Sequence, residues 1–228
     1  MNWVLPIKKP VGLVSRRKVE DKMTLREKVY DSIKQDIVSG NYSTSDILNE
    51  KNLMNKYQIS KAPVRDALIE LCNEGVLKSI PRLGYVIVSY SKEYLDGILK
   101  LRKFLEPKYL DEYWERVQDR DIEVLESLHL EQMENACRED PVSYWNTNMD
   151  FHLTLASFYH DEYYYEILEN AFQKQMLVFS QYYWNSWNRE VFNIYSHQHS
   201  EFLFYLKNRD RKKAVEELRR DIDYFMKG

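Results

Sequence analysis

The sequence runs to 228 residues, 44% of them hydrophobic and 30% charged, enough for one large domain or two small ones with cores of ordinary size. No apolar run approaches the roughly 18 residues of a membrane span, and residues 1–22, with Lys8, Lys9, Arg16, Arg17 and Lys18, lack the continuous apolar stretch of a secretory signal. The net charge of −3 hides an uneven split: residues 1–90 hold 15 Lys/Arg against 10 Asp/Glu, the remainder 18 against 26, which reads either as a head that meets a polyanion or as ordinary fluctuation of surface charge.

Residues 1–22 read as a mobile basic arm. The first helix is expected to start at Thr24, whose spacing to Glu27 is that of a capping box. Leu25, Val29, Ile33 and Ile37 follow at helical spacing and Gly40 stops the helix. Asn49 caps a short second helix carrying Leu53, Met54 and Tyr57. The turn Gln58-Ile59-Ser60 leads into a third, with Ser60 at its N-cap, Pro63 in the tolerated first turn and Gly75 at its end. Val64, Ala67, Leu68 and Leu71 form the buried stripe of that helix, and Lys61 and Arg65 lie one turn apart on the opposite side. Two β-rich runs, 76–80 and 85–88, flank the turn Pro81-Arg82-Leu83-Gly84 and predict a hairpin. Three helices and a hairpin over residues 23–90 describe a winged helix-turn-helix.

Residues 91–228 show no strand pattern and predict an all-α bundle, with helices near 92–117, 120–137, 141–159, 162–184, 189–208 and 210–226. The fold class is thus mainly α. Cys72 and Cys137 fall on apolar helix faces and read as buried free thiols, which suits a reducing cytoplasm. His129 and His160 have no evident partners and are expected at the surface.

The third helix is the candidate recognition helix. Arginine bonds guanine O6 and N7 in bidentate fashion in the major groove, and the amides of a helix's first turn donate to a phosphate. Lys61 and Arg65 share one face, small Ala62 permits close approach, Lys51 reaches the backbone, and Arg82 and Gly84 suit a wing tip. Set against this, two basic residues on one helix face are common and can simply be solvated.

Ser60-Lys61-Ala62-Pro63-Val64-Arg65-Asp66-Ala67-Leu68, followed by Leu71, Glu74-Gly75 and Arg82-x-Gly84, with Val-Tyr-Asp-Ser-Ile at 29–33 upstream, resembles the signature of GntR-family regulators. The resemblance implies a DNA-binding transcriptional regulator, expected to be a repressor, in which Lys51, Lys61 and Arg65 contact double-stranded operator DNA as a homodimer with Gly84 in the wing. Lys61 stands where the family has Arg, and Ala62 where it has Thr, which weakens bidentate reading and removes a phosphate bond.

The rest of the chain resembles the helical FCD ligand-binding domain of the FadR subgroup, on Arg102-x-x-Leu105-Glu106, Phe151-His152 with Leu155 and Ala156, and His199, Leu206, Asp210 and Ala214. Many such domains hold a divalent metal with one Asp and three His. By position those places are Asn148, His152, His199 and Asp221, a changed set still suited to Zn²⁺, Ni²⁺ or Mn²⁺, or else a metal-free polar pocket; His197 is a substitute ligand. The resemblance further implies a small carboxylate-bearing effector, bound by the metal, His152 and His199, or by Arg102, whose alternative role is a salt bridge to Glu106 one turn on. Two other readings stand beside this one: a metal sensor with the ion as effector, and a metal-dependent enzyme, for which the sequence offers no HExxH and no Cys/His cluster.

Overall fold

The computed structural model describes residues 23–137, 141–183 and 199–224. The basic-arm reading of residues 1–22, the side chain of Cys137 and the substitute ligand His197 lie outside the described residues. The chain divides into two compact units: one takes in the residues up to Lys34 and Ser45–Ile87, the other Gln35–Thr44 and the chain from Val88 on.

Helix α1 (Leu25–Val38), whose residues up to Lys34 belong to the first unit, opens with the reciprocal cap its sequence predicts. Thr24 N donates to Glu27 Oε2 at 2.8 Å, and Glu27 N donates to Thr24 Oγ1 at 3.2 Å. Asn49 caps α2 (Glu50–Tyr57) by accepting from Asn52 N. Gln58 then takes the left-handed conformation, φ 54°, and turns the chain into α3 (Lys61–Asn73). Val29 and Ile33 of α1 and Val64, Ala67, Leu68 and Leu71 of α3 are fully buried. Gly75, at φ 69°, ends the α3 segment in a conformation that glycine adopts freely.

The sheet has one strand more than a hairpin. The strands β1 (Ile47–Leu48), β2 (Leu77–Ile80) and β3 (Gly84–Ile87) run antiparallel in the order β1-β3-β2. Leu77 faces Ile87 and Ile80 faces Gly84 across the hairpin, and Ile47 faces Val86 on the other side of β3. A two-residue strand carries no alternation long enough to read, so β1 was not expected. It explains Gly84. The φ there is +131°, and a Cβ would sit 2.5 Å from the Leu48 carbonyl oxygen, so the close approach of β1 itself demands glycine.

The second unit is helical: α4 (Lys92–Glu112), a 3₁₀ turn (Trp114–Arg116), α5 (Asp119–Cys137), α6 (Pro141–Ser157), α7 (Glu162–Tyr183), the helical residues 199–207 as α8, and α9 (Arg211–Tyr224). The first of these was expected to run to 117 but ends at Glu112, with the chain continuing as the 3₁₀ turn. Helix α4 packs against α7 and α9, and α5 against α6. Trp145, Phe151, Phe172, Phe202, Leu206 and Ile222 belong to the core between them. The end of α7 grips the chain just after β3: Gln181 Nε2 donates to Val88 O at 2.8 Å, Gln181 Oε1 accepts from Tyr90 N at 3.2 Å, and Tyr182 OH donates to Tyr90 O at 2.5 Å. Among the described residues no helix is long and apolar enough to cross a membrane.

Candidate functional site

The basic candidates of the winged unit share exposure. Lys51, Ser60, Lys61, Ala62, Arg65 and Arg82 all face solvent. Ser60 occupies the N-cap of α3 in extended conformation, but its hydroxyl makes no capping bond, which leaves it unspent beside the first-turn amides. Lys61 Nζ lies 3.4 Å from Glu50 Oε2 at the start of α2, so a carboxylate already stands next to one of the expected contacts. Arg82 sits at the tip of the hairpin with φ 67°.

In the helical unit, charged and amide side chains meet inside the core. Arg102, Glu106, Gln132, Asn148, His152, Gln175, His199 and Asp221 are each at most 2% exposed. Burying such groups is unfavourable unless they pair, and most of them do. From α4, Arg102 Nε donates to Glu106 Oε1 at 2.6 Å, and Arg102 Nη1 to Gln175 Oε1 of α7 at 2.6 Å. The guanidinium also lies over the Phe172 ring, 3.7 Å from its centre. Glu106 Oε2 takes His152 Nδ1 of α6 at 2.7 Å. His199 Nδ1 meets Gln132 Oε1 of α5 at 2.7 Å, and Gln132 Nε2 donates to Asn148 Oδ1 at 3.1 Å. Phe151 stacks flat on the His199 ring at 3.8 Å.

These contacts fix the imidazoles. Each Nδ1 faces an oxygen acceptor and carries the hydrogen, which leaves both Nε2 atoms turned inward. His152 Nε2 lies 3.3 Å from His199 Nε2 and 3.0 Å from Asp221 Oδ2, and His199 Nε2 lies 3.7 Å from Asp221 Oδ1. Ligand atoms of His152, His199 and Asp221 all fall within 4.8 Å of one another. Without an ion a proton must hold this group together. Burial would lower the His152 imidazolium, but Glu106 and Asp221 outweigh it and raise its pKa. Burial is the main cause that pulls His199 down. Asp221, which burial alone would raise, is held well below the usual carboxylate range by His199 and His152.

The structure therefore brings together His152, His199 and Asp221 and ties Asn148 to them through Gln132. It places Arg102 in the buried salt bridge that was its alternative reading. Gln132 and Gln175 were not singled out in the sequence; nothing in their local pattern separates them from surface glutamines, and only the fold brings them inward. His129, expected at the surface, is buried, with Nε2 2.8 Å from Ser200 Oγ. His160 is exposed. Several buried polar atoms have no hydrogen-bond partner among the described residues, including Arg102 Nη2, Asn148 Nδ2, Gln175 Nε2 and the Tyr159 hydroxyl.

A winged helix with a basic, exposed third helix, followed by a helical unit built around buried histidines, defines the class of DNA-binding transcriptional regulators. The model of bacterial regulatory proteins of the gntR family matches residues 25–87, and that of the FCD domain matches residues 97–224; the chain belongs to the gntR family, in its FCD-domain branch. The HTH-type transcriptional regulator YdhC of Bacillus subtilis is 27% identical over 62% of the chain, and the match spans 64% of that relative's length. The gluconate operon transcriptional repressor of the same species is 25% identical over 82% of the chain and 77% of its own. The structure of E. coli McbR/YncC shares the fold, with a TM-score of 0.74, 21% identity, and coverage of 90% of this chain and 96% of that one.

FCD domains often hold a divalent metal, and the residues present fit one. Two inward-facing Nε2 atoms at 3.3 Å, each oriented by an acceptor behind it, repel unless a cation or a proton lies between them. His152, His199 and Asp221 would hold the ion, which when bound would supply a Lewis-acidic centre for an oxygen ligand.

Proposed function

We propose that the chain is an operator-binding transcriptional repressor that acts as a homodimer and is controlled by a small carboxylate bound in the helical unit. The observation that carries the DNA reading is the exposed face at the start of α3: Lys61 and Arg65 flank small Ala62 beside an N-terminus whose Ser60 makes no cap. Arg65 reads a base edge, the α3 amides and Ser60 hold a phosphate, Lys51 and Lys61 add charge contacts to the backbone, and Arg82 at the wing tip reaches the neighbouring groove. Gly84 acts indirectly, by letting β1 hold the wing.

The effector reading is supported by the unsatisfied groups. Arg102 Nη2, Gln175 Nε2 and Asn148 Nδ2 are all N–H donors lacking an acceptor among the described residues, which suits a ligand rich in acceptor oxygens. Charge counting agrees. With neutral imidazoles, Arg102, Glu106, Asp221 and a divalent ion sum to one positive charge, which a carboxylate neutralises. The relative named for the gluconate operon, a sugar-acid system, is consistent with such a ligand. Zn²⁺, Ni²⁺ and Mn²⁺ are the ions expected at His152, His199 and Asp221, with Asn148 set back by its bond to Gln132. The convergence of the two Nε2 atoms also favours a second reading, in which the ion itself is the effector.

Selection from a random duplex pool tests the function. The chain is expected to enrich an inverted repeat with half-sites about one helical turn apart, and its retention should change when a carboxylate library is added. Failure to enrich any sequence overturns the proposal; a response to metal alone selects the ion-sensing reading.

A further inference from the structure

The hairpin between β2 and β3 closes in a turn that its own sequence does not favour. Leu83 N donates to Ile80 O at 3.1 Å and closes the four residues Ile80-Pro81-Arg82-Leu83. Proline fixes its φ near −65°, and Arg82 stands at φ 67°. Those two values define a type II turn, with Pro81 in its second place and Arg82 in its third. Glycine or asparagine is preferred in that third place, because a left-handed backbone crowds the Cβ of other residues. Arginine gains nothing for the turn there. An arginine held against the local preference points to a use for its side chain, which is exposed.

Leu83 is the second observation. It follows Arg82 at the tip and is 51% exposed. The chain is fixed again directly after it, where Gly84 pairs with Ile80 and packs against the Leu48 carbonyl of β1. Leu83 is therefore presented to solvent from a backbone held on both sides. The sequence around it carries no negative charge: between Glu74 and Glu93 stand Lys78, Arg82 and Lys92, and no Asp or Glu.

A cation and an apolar side chain side by side suit the minor groove of A·T pairs. That groove is narrow and strongly negative, which favours Arg82, and its floor offers only acceptors, which a guanidinium satisfies. A G·C pair adds the 2-amino group of guanine, a donor that stands up from the floor. Neither arginine nor leucine has a side-chain acceptor for it. Leu83 packed over that group would take its water and return no bond. We propose that Arg82 and Leu83 enter the minor groove together beside each half-site, and that Leu83 confines the base pairs there to A·T. The proposal rests on the reading of the chain as an operator-binding regulator and adds a base preference outside the major-groove contacts of α3.

Binding of the full chain to duplexes altered in the minor groove tests it. The starting duplex is one enriched by selection, and each base pair flanking a half-site is replaced in turn. G·C at the contacted positions should weaken binding about fivefold or more. Inosine·C, which lacks the 2-amino group and keeps the major-groove face of G·C, should bind as A·T does. Diaminopurine·T, which adds that group to an A·T pair, should bind as G·C does. In Leu83→Asn, whose amide oxygen can accept from the 2-amino group, these differences should shrink below about twofold, with circular dichroism unchanged. Arg82→Asn should keep or raise the unfolding temperature, since asparagine suits the turn, and weaken binding to every duplex about fivefold or more. Differences that persist in Leu83→Asn, or that appear at no flanking position, overturn the assignment and leave the operator reading standing. Failure to enrich any duplex overturns the operator reading and this inference with it.

Discussion

His152 Nε2 and His199 Nε2 stand 3.3 Å apart, each with its Nδ1 bonded to a different oxygen behind it. Two lone pairs at that distance require a cation or a proton. His152→Ala and His199→Ala should each abolish binding of added Zn²⁺, Ni²⁺ or Mn²⁺, read by elemental analysis after desalting, while helical content stays intact. Uptake should release protons and weaken as the pH falls, because protons compete with the metal for the imidazole nitrogens, first at His152, whose pKa Glu106 and Asp221 raise. Undiminished metal in both variants would remove these residues from the site.

Gln132 links His199 to Asn148 through its two side-chain bonds. Gln132→Leu should lower metal affinity about 10–100-fold by releasing the His199 ring, with a stability loss of about 1–3 kcal/mol from the buried groups left without partners. Metal titration and chemical denaturation separate the two effects. Affinity equal to wild type would show that Phe151 stacking alone orients His199.

Arg102 and Glu106 form a buried ion pair, so removing one member strands the other. Arg102→Met should destabilise the helical unit by about 3–5 kcal/mol. The double variant Arg102→Met/Glu106→Gln should recover part of that loss, since no net charge is then left uncompensated. Equal losses in single and double variants would mean that packing on Phe172, not charge, sets the cost.

On the winged unit, Arg65→Ala should lose about 1–3 kcal/mol at the selected site and relax its sequence preference, whereas Lys51→Ala should weaken binding evenly across sequences. Glu50→Gln should act in the opposite direction. Glu50 holds Lys61 Nζ at 3.4 Å, and removing the carboxylate frees a cation for phosphate, so binding should tighten and its salt dependence steepen. Mobility shift at two salt concentrations measures all three. Weaker binding by Glu50→Gln would place Lys61 in the role of a spacer.

Gly84→Ala tests the wing. The added Cβ would meet the Leu48 carbonyl at 2.5 Å at a φ that L residues rarely adopt, so thermal unfolding should register a loss of about 1–3 kcal/mol. Full stability would show that β1 can shift.

The winged unit was legible because its boundaries are written in local chemistry. The Thr24–Glu27 cap, the Asn49 cap, Pro63 in a first turn and Gly75 after a helix each act within a few residues. β1 was not, because two residues carry no period and the strand exists only through β3. In the helical unit, His152, His199 and Asp221 were placed by resemblance. Gln132, Gln175 and the burial of His129 depend on contacts that span 67, 73 and 71 residues of sequence, which no short window displays. Asn148 was expected as a ligand by the same resemblance; the structure spends its oxygen on Gln132.

Helix α7 does two jobs six residues apart. Gln175 reaches Arg102 in the buried site, and Gln181 clasps the backbone at Val88 and Tyr90. Along a helix those positions are separated by only about 9 Å, with no joint between them. A change at Gln175 or at its guanidinium partner is thus made on the same uninterrupted helix that holds the segment leading out of β3.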